Sequence, residues 1–107
     1  KKIIKKDGII SSLIDYSDHY SHTDKNIGPL NFLKFSSKDW AKYNNNYLFQ
    51  NRLRHQDFRK FFLDMNFEII EEKKSSLGSP PKKISDEFEK NNDETFILWG
   101  QFVLKNI

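Results

Sequence analysis

The chain has 107 residues, a length that allows one domain or part of one. It contains no cysteine, which excludes disulfide bonds, thiolate zinc sites and a cysteine nucleophile. Its 18 lysines and arginines against 15 aspartates and glutamates give a net charge of +3, too balanced for the basic footprint of a nucleic-acid binder. We therefore expect no nucleic-acid partner, while ten Phe and two Trp can supply a hydrophobic core.

The sequence carries no signal for a membrane or for secretion. No run of 18 apolar residues occurs, so no membrane span is expected. The lysine-rich beginning is not followed by the apolar segment of a signal peptide. We expect a cytoplasmic location, and the absence of an initiating methionine predicts that the chain begins inside a longer protein.

The first third of the chain alternates short regular segments with polar loops. Residues 1–7 are expected to be the end of a helix, after which Gly8 permits a turn. Residues 9–15 predict a strand, because apolar pairs flank two serines in a short run. The polar and aromatic stretch 16–31 predicts a loop, and 31–35 a short extended segment.

A short helix is predicted next, with Ser36 or Ser37 as its N-cap, because a serine oxygen accepts the free amides of a first turn. The helix would contain Asp39, Trp40 and Tyr43. The asparagine run 44–46 favours turns and would end it.

The clearest helix is predicted at about 55–65. Four apolar residues spaced at i, i+3, i+4 and i+7 form one stripe, namely Phe58, Phe61, Phe62 and Met65. At least two of the three phenylalanines are expected to be largely buried against a sheet. Asn66 is expected to end the helix in a left-handed conformation.

The last third predicts two more strands. Residues 67–73 are the first, 75–83 a loop and 84–90 a short helix. Residues 95–104 are the strongest strand, and apolar side chains on both of its faces predict burial on both sides. A helix between the strands 9–15 and 67–73 predicts a parallel crossover, and the last two strands are expected to pair antiparallel.

Several short strings resemble the end of class I S-adenosylmethionine-dependent methyltransferases. Residues 4–10 resemble the L-K-P-G-G turn before the fifth strand of that family, although they lack the proline and have one glycine. Residues 14–24 and 31–36 are similar to an insert, I-D-L-S-D-H-Y-x-H-x-D … N-F-L-R-F-S, of bacterial members often linked to surface-polysaccharide genes. Residues 51–58 resemble its continuation N-R-L-R-x-x-D, and 63–69 resemble the x-x-A-G-F-x-V entry to the sixth strand.

The resemblance implies a partial α/β fold, the C-terminal half of a Rossmann-like methyltransferase. Residues 1–107 would form a single unit with a three-stranded mixed sheet, the last strand antiparallel in the middle, and residues 16–54 would be a substrate-side insert. The full-length protein would bind S-adenosylmethionine, but this chain would not, because its four glycines are scattered and no glycine-rich loop occurs. The methyl acceptor would be a small molecule or a saccharide.

A dense polar cluster after the strand 9–15 is the candidate substrate site. It comprises Asp15, Tyr16, Asp18, His19, Tyr20, His22 and Asp24. A neutral histidine beside a carboxylate can act as a general base, so His19 is the catalytic candidate and the other six are candidate substrate ligands. Two alternatives stay open: the polar groups cap local turns, or the aspartates and histidines bind zinc or iron.

Two arginines complete the candidate substrate ligands. Arg52 and Arg54 can hold an anionic substrate group through paired hydrogen bonds, or they can form structural ion pairs before the helix. For the whole chain, the alternative to a methyltransferase is a non-catalytic binding or interaction domain descended from the same fold. An exposed sheet edge at residues 9–15 is expected to favour a homodimer.

Overall fold

The computed structural model describes residues 4–44 and 50–107. In chain order the strands and α-helices are β1 (Ile9–Asp15), α1 (Ser37–Trp40), α2 (His55–Asp64), β2 (Phe67–Lys74) and β3 (Trp99–Asn106). Short 3₁₀ helices cover His19–His22, Asn31–Lys34 and Asp93–Phe96. No helix among the described residues is long and apolar enough to cross a membrane.

The three strands form one sheet in the order β1-β3-β2. β3 is antiparallel to both neighbours, with Ser12 opposite Phe102 on one side and Glu72 opposite Phe102 on the other. The expectation that the last strand lies in the middle, antiparallel to the other two, is therefore confirmed. Adjacent described strands are all antiparallel, so the sheet is antiparallel rather than mixed, because β3 separates the two strands that run in the same direction.

A bulge in β2 decides which of its side chains face the helix. The register against β3 shifts between Ile69 and Glu71. An extra residue in one strand reverses the alternation of side chains beyond it. Phe67 and Ile69 therefore face the core before the bulge, and Glu72 faces the same side after it.

Helix α2 covers that inner face with a stripe different from the predicted one. Phe58 and Phe62 pack against the buried cluster formed by the sheet, as expected. Phe61 is 55 % exposed and Met65 is 37 % exposed, so the predicted stripe does not extend to them, and Phe58 and Phe62 are half-buried rather than largely buried. The fully buried residue of the helix is His55, one turn before Phe58. An apolar pattern could not reveal a stripe that begins with a histidine.

Truncation of the phenylalanines tests this helix phase. Phe58→Ala or Phe62→Ala is expected to lower the free energy of unfolding by about 2–3 kcal/mol, because each removes part of the core. Phe61→Ala is the matched control and is expected to cost less than about 1 kcal/mol, since its ring is exposed. Urea unfolding followed by tryptophan fluorescence measures all three. A larger loss at Phe61 than at Phe58 would contradict the phase.

The segment between β1 and α2 has a hydrophobic cluster of its own. Four buried residues form it: Leu30, Phe32, Leu33 and Trp40. Helix α1 supplies the tryptophan, and the hydroxyl of Ser36 caps this helix by accepting from the amide of Asp39, as predicted. The described part of the insert is thus packed around a core of its own.

Four further predictions about local structure are wrong. Residues 4–7 form a turn, held by the Gly8 amide on the Lys5 carbonyl, instead of a helix end. Residues 31–34 are 3₁₀ helix instead of extended, and 84–90 form turns instead of a helix. The last strand begins at Trp99, four residues later than predicted, because 93–96 are 3₁₀.

The two faces of β3 differ, although both were expected to be buried. Gly100, Phe102 and Leu104 are buried under α2. On the other face Trp99 is 44 % exposed and Val103 is half-buried, because no described element covers that side. The turn predicted for residues 44–46 lies largely outside the described residues.

Candidate functional site

An open cleft of about 720 Å³ lies where the C-terminal end of β1 meets the start of β3. Five residues give it its chemical character: Leu13, Asp15, His22, Trp99 and Gln101. The cleft combines an exposed indole and a leucine with a carboxylate, an imidazole and an amide. Asp15 and His22 of the predicted polar cluster border this cleft. Three other members of the cluster, Asp18, Tyr20 and Asp24, border a smaller cavity of about 210 Å³ beside Trp40.

Asp15 and His19 form a pair beside this cleft. Nε2 of His19 lies 3.6 Å from Oδ2 of Asp15, so the expected proximity of the two side chains is present. Burial alone would raise the pKa of Asp15, but hydrogen bonds from the hydroxyl and amide of Ser17, together with the two nearby histidines, hold the pKa below its usual range. A charged carboxylate beside an imidazole suits proton removal from a ligand, and the catalytic role stays a prediction.

The turn that presents His19 is fixed by hydrogen bonds from a distant residue. The side-chain oxygen of Gln50 accepts from the His19 amide at 3.0 Å, and its nitrogen donates to the Ser17 carbonyl. The rings of His19 and His22 lie 5.3 Å apart, and His22 itself lines the cleft. His22 therefore borders the cleft directly, and His19 lies beside it, outside the residues that line the cleft.

The other members of the polar cluster point away from the cleft. The buried Asp18 caps the 3₁₀ helix by accepting from the Tyr20 amide, and burial raises the pKa of its carboxyl. The Tyr20 hydroxyl donates to the Tyr43 carbonyl at 2.6 Å, and Asp24 accepts from the Asn26 amide. The contacts of Asp18 and Asp24 are local, and that of Tyr20 connects two parts of the insert, so the predicted contacts of all three with substrate stay predictions.

Both candidate arginines are engaged within the chain. Arg52 donates to the carbonyls of Phe32 and Phe35 and lies 3.6 Å from Glu87. Arg54 is only 2 % exposed and donates to three backbone carbonyls, those of Tyr16, Arg52 and Thr95. Burial lowers the pKa of Arg54 to about 10. Both guanidiniums fasten the insert, and a role in anion binding stays a prediction.

A buried chain of hydrogen bonds connects the end of β1 to β2. The hydroxyl of Tyr16 lies 2.8 Å from Nδ1 of His55, and Nε2 of His55 lies 2.8 Å from Oε2 of Glu72. Burial raises the pKa of Tyr16 well above its usual range, so its hydroxyl keeps its proton. The ring of His55 is stacked on Phe102 with centroids 4.5 Å apart. Since Tyr16 directly follows Asp15, this chain fixes the position of the candidate site.

Arg59 holds the acidic end of this chain of hydrogen bonds. Its guanidinium bonds both Glu72 and Glu94, with Nε 3.0 Å from Glu72 and Nη1 2.7 Å from Glu94. His55, Glu72 and Glu94 are the one group of potential metal ligands close together among the described residues. The guanidinium already occupies the space between the carboxylates. The loop 15–24 does not bring three potential ligand atoms within 4.8 Å of one another among the described residues, and the zinc or iron alternative there stays a prediction.

Acid is expected to weaken the hydrogen bonds that join Glu72 to Arg59 and His55. Hydrogen bonds from Arg59, and then from His55, lower the pKa of Glu72 to about 2 from an ordinary value of 4.5. A lowered carboxyl pKa adds stability above the ordinary value, and that stability is lost as the pH falls toward 2. The pKa of Glu94 is also lowered, so Glu94 likewise loses its stabilising effect in acid. Burial raises the pKa of Asp18, so the effect of Asp18 on stability has the opposite dependence on pH.

Glu72→Gln is therefore expected to lower the free energy of unfolding by about 2 kcal/mol at pH 7 and to flatten its decline between about pH 5 and pH 2. Urea unfolding at several pH values measures this. The matched control is Glu71→Gln, on the opposite face of β2, where Lys73 makes only an exposed ion pair; a change below about 0.5 kcal/mol is expected. Equal losses at the two positions would contradict the role of Glu72.

Sequence patterns did not single out several residues of the site, and only some of these residues had a signal in the sequence that could have found them. Trp99 and Gln101 alternate with buried Gly100 and Phe102, so strand periodicity already placed them on the opposite face. A glycine inside a strand signals a close approach, and Gly100 lies against His55. Nothing in the linear sequence connects His55 with Glu72, since their contact depends on the bulge in β2.

The fold and the cleft define a small α+β unit, with an antiparallel sheet covered on one face by a helix. Comparison with protein-family models, with curated proteins and with solved structures gave no match.

Proposed function

We propose that this chain is the substrate-side, C-terminal portion of an S-adenosylmethionine-dependent methyltransferase. The observation that carries the proposal is the strand order β1-β3-β2, with the last strand antiparallel between the other two. This is the arrangement that the resemblance of the sequence implied. Two features make this topology specific. Helix α2 connects the two outer strands, and the last strand, β3, lies between them in the sheet.

The cleft supplies chemistry that suits an acceptor. It lies at the C-terminal end of β1, and ligands of open α/β sheets bind at such strand ends. In the proposal, His19 removes the proton of an acceptor hydroxyl or amine, and the carboxylate of Asp15 stabilises the resulting imidazolium. Trp99 and Leu13 offer apolar contact to a small molecule or to one face of a sugar ring, beside His22.

In this proposal the cofactor binds outside this chain. Such folds hold the cofactor on a glycine-rich turn at a helix N-terminus and by a carboxylate on the ribose. The four glycines are Gly8, Gly28, Gly78 and Gly100, and no two are close in sequence. Gly100 is packed against His55, and Gly78 against Leu98, so neither opens toward a ligand. The proposal therefore requires a cofactor-binding half outside these residues.

The second candidate is a non-catalytic binding or interaction domain of the same descent. It is favoured by the number of predicted ligands whose polar groups bond within the chain, notably Tyr16, Asp18 and Arg54. The coding sequence that precedes Lys1 discriminates between the two. A strand followed by a glycine-rich turn is expected for the enzyme, and its absence would favour the binding domain.

Calorimetric titration of the purified chain with S-adenosylmethionine tests the proposal that this chain forms the substrate side and that the cofactor binds outside it. No binding is expected at micromolar concentrations, and no methyl transfer, because positioning of donor and acceptor supplies much of the rate. Leu13→Ala, in the cleft, is the control. A weak heat signal that this variant retains comes from non-specific adsorption of the ligand. Micromolar binding by the wild-type chain would contradict the assignment of this chain to the substrate side.

A further inference from the structure

A histidine at the start of α2 has a hydrogen-bond partner on each of its two ring nitrogens. His55 is completely buried, the Tyr16 hydroxyl lies 2.8 Å from its Nδ1, and Oε2 of Glu72 lies 2.8 Å from its Nε2. Phe102 stacks on the face of the ring, and Gly100 lies against its edge. The ring therefore cannot turn over or exchange partners without displacing the core.

The two partners indicate which ring nitrogen carries the proton. Burial raises the pKa of Tyr16 well above its usual range, so the hydroxyl keeps its proton and can donate it to Nδ1. A carboxylate only accepts, so the hydrogen bond to Glu72 requires a proton on Nε2 of His55. A proton on Nδ1 as well would leave the Tyr16 hydroxyl without an acceptor among the described residues. These contacts fit a neutral ring protonated on Nε2.

The charges around Glu72 balance without a charge on His55. Arg59 bonds both Glu72 and Glu94, and Nζ of Lys74 lies 3.5 Å from Glu94. Two carboxylates thus face two cations. His55 is also the first residue of α2, where the helix dipole disfavours a further positive charge. Both features agree with a neutral imidazole.

Tyr16 connects this imidazole to the candidate site. It lies directly between Asp15 and Ser17, and the hydroxyl and amide of Ser17 donate to the Asp15 carboxylate. Oδ2 of that carboxylate lies 3.6 Å from Nε2 of His19. Because His55 holds the Tyr16 hydroxyl, the turn that presents the carboxylate and the histidine is attached to α2 as well as to β3.

We propose that His55 is a positioning residue for the candidate site, a neutral imidazole that accepts from Tyr16 through Nδ1 and donates to Glu72 through Nε2. The first hydrogen bond fixes the turn that presents Asp15 and His19, and the second fixes the ring itself. The effect on catalysis rests on the proposed function, whereas the proton position and the attachment of the turn do not.

Nitrogen NMR of the chain with labelled histidine tests the proton position. At neutral pH, Nδ1 of His55 is expected at the chemical shift of an unprotonated imidazole nitrogen, and Nε2 at that of a protonated one. Tyr16→Phe is expected to move the Nδ1 signal by removing its donor. Tyr43→Phe, whose ring is 47 % exposed, is the control and is expected to leave it in place. A His55 ring protonated on both nitrogens, or on Nδ1 alone, would overturn the proposal.

Two replacements of His55 separate its two hydrogen bonds. An asparagine oxygen comes near the place of Nδ1 and can accept from Tyr16, whereas a glutamine nitrogen comes near the place of Nε2 and can donate to Glu72. Hydrogen exchange of the Ser17 and His19 amides is therefore expected to be about tenfold faster in His55→Gln than in His55→Asn. Faster exchange in His55→Asn would overturn the proposal, because side-chain volume alone favours glutamine.

Tyr16→Phe makes the same test with a smaller change, should either replacement of His55 not fold. It removes one hydroxyl, and exchange of the Ser17 and His19 amides is expected to be about tenfold faster than in Tyr43→Phe. Equal exchange in these two variants would show that the hydroxyl does not hold the turn, and the proposal would be wrong.

Turnover of the full-length protein separates this inference from the proposed function. His55→Gln is expected to lower kcat for methyl transfer about tenfold, with little change in KM for S-adenosylmethionine, because a misplaced base slows the chemical step. A wild-type protein without methyl transfer would contradict the proposed function, and the NMR and exchange results would still decide the attachment of the turn. Methyl transfer at the same kcat in wild type and His55→Gln would overturn the positioning role alone.

Discussion

Replacing Gly100 with alanine is expected to lower the free energy of unfolding by about 3 kcal/mol. A Cβ at this position would lie 2.7 Å from Cε1 of His55 and 2.8 Å from the hydroxyl oxygen of Tyr16. Both partners are buried and joined to each other by a hydrogen bond, so neither can move without breaking the chain that continues to Glu72. Overpacking of this kind forces side chains out of their preferred rotamers.

Gly28→Ala is the control for this substitution. A Cβ there would meet only the carbonyl oxygen of Ser79, at 3.9 Å, and its backbone has no positive φ. The variant is expected to be neutral or slightly stabilising, within about 1 kcal/mol, because alanine reduces the freedom of the unfolded chain. Urea unfolding followed by the fluorescence of Trp40 and Trp99 compares the two. Similar stability of both variants would show that His55 does not pack on Gly100.

Arg54→Met is expected to lower the free energy of unfolding by about 3–5 kcal/mol, enough to unfold a domain of this size under mild conditions. Methionine retains much of the side-chain volume but removes every donor. The carbonyls of Tyr16 and Thr95 would then lose a hydrogen-bond donor in the interior, and an unsatisfied buried acceptor is costly. The rings of Tyr16 and Phe32 would also lose the guanidinium that lies over them.

Lys42→Met is the matched control for charge removal. Lys42 is 70 % exposed and forms an ion pair of 3.4 Å with Asp39 on the surface. A change below about 0.5 kcal/mol is expected, because exposed ion pairs contribute little. Thermal unfolding by circular dichroism and urea unfolding should agree for both variants. A loss of less than about 1 kcal/mol for Arg54→Met would contradict this prediction. It would mean that water hydrogen-bonds the carbonyls of Tyr16 and Thr95 once the guanidinium is removed.

The elements that were predicted correctly are those whose signals are local. β1 has the predicted bounds, because apolar pairs around two serines determine a short strand without reference to the rest of the chain. Asn66 ends α2 with a φ of 62°, and Ser36 caps α1, since both depend on backbone groups only a few residues away. The central place of β3 was implied by the resemblance of the sequence to methyltransferases, and its apolar residues agreed with it.

The failures are places where distant contacts decide the outcome. The face of α2 turns toward the sheet at His55 because Glu72, displaced by the bulge in β2, accepts its hydrogen bond. Residues 84–90 remain turns although their apolar spacing fits a helix, because Ile84 and Phe88 pack into the cluster of the insert. A pattern of about ten neighbouring residues cannot predict contacts of this kind, because the partners are farther apart in the sequence.

The candidate site was predictable in part for the same reason. Asp15 and His19 are four residues apart, and a single turn brings them together. Tyr16 and Asp18 stand in the same polar string, but strand alternation and the burial of the insert turn them inward. Trp99 and Gln101 enter the cleft from the far end of the chain, which only the pairing of β1 with β3 can bring about.

Methyl transfer by the protein that the complete gene encodes tests the central claim most directly. The wild-type protein is expected to transfer a labelled methyl group from S-adenosylmethionine to its acceptor. His19→Ala should slow that transfer about 100-fold without weakening cofactor binding, whereas Lys25→Ala on the exposed loop should change neither. A gene product that neither binds the cofactor nor transfers methyl groups would contradict the assignment, and unchanged turnover in His19→Ala would reject the proposed base.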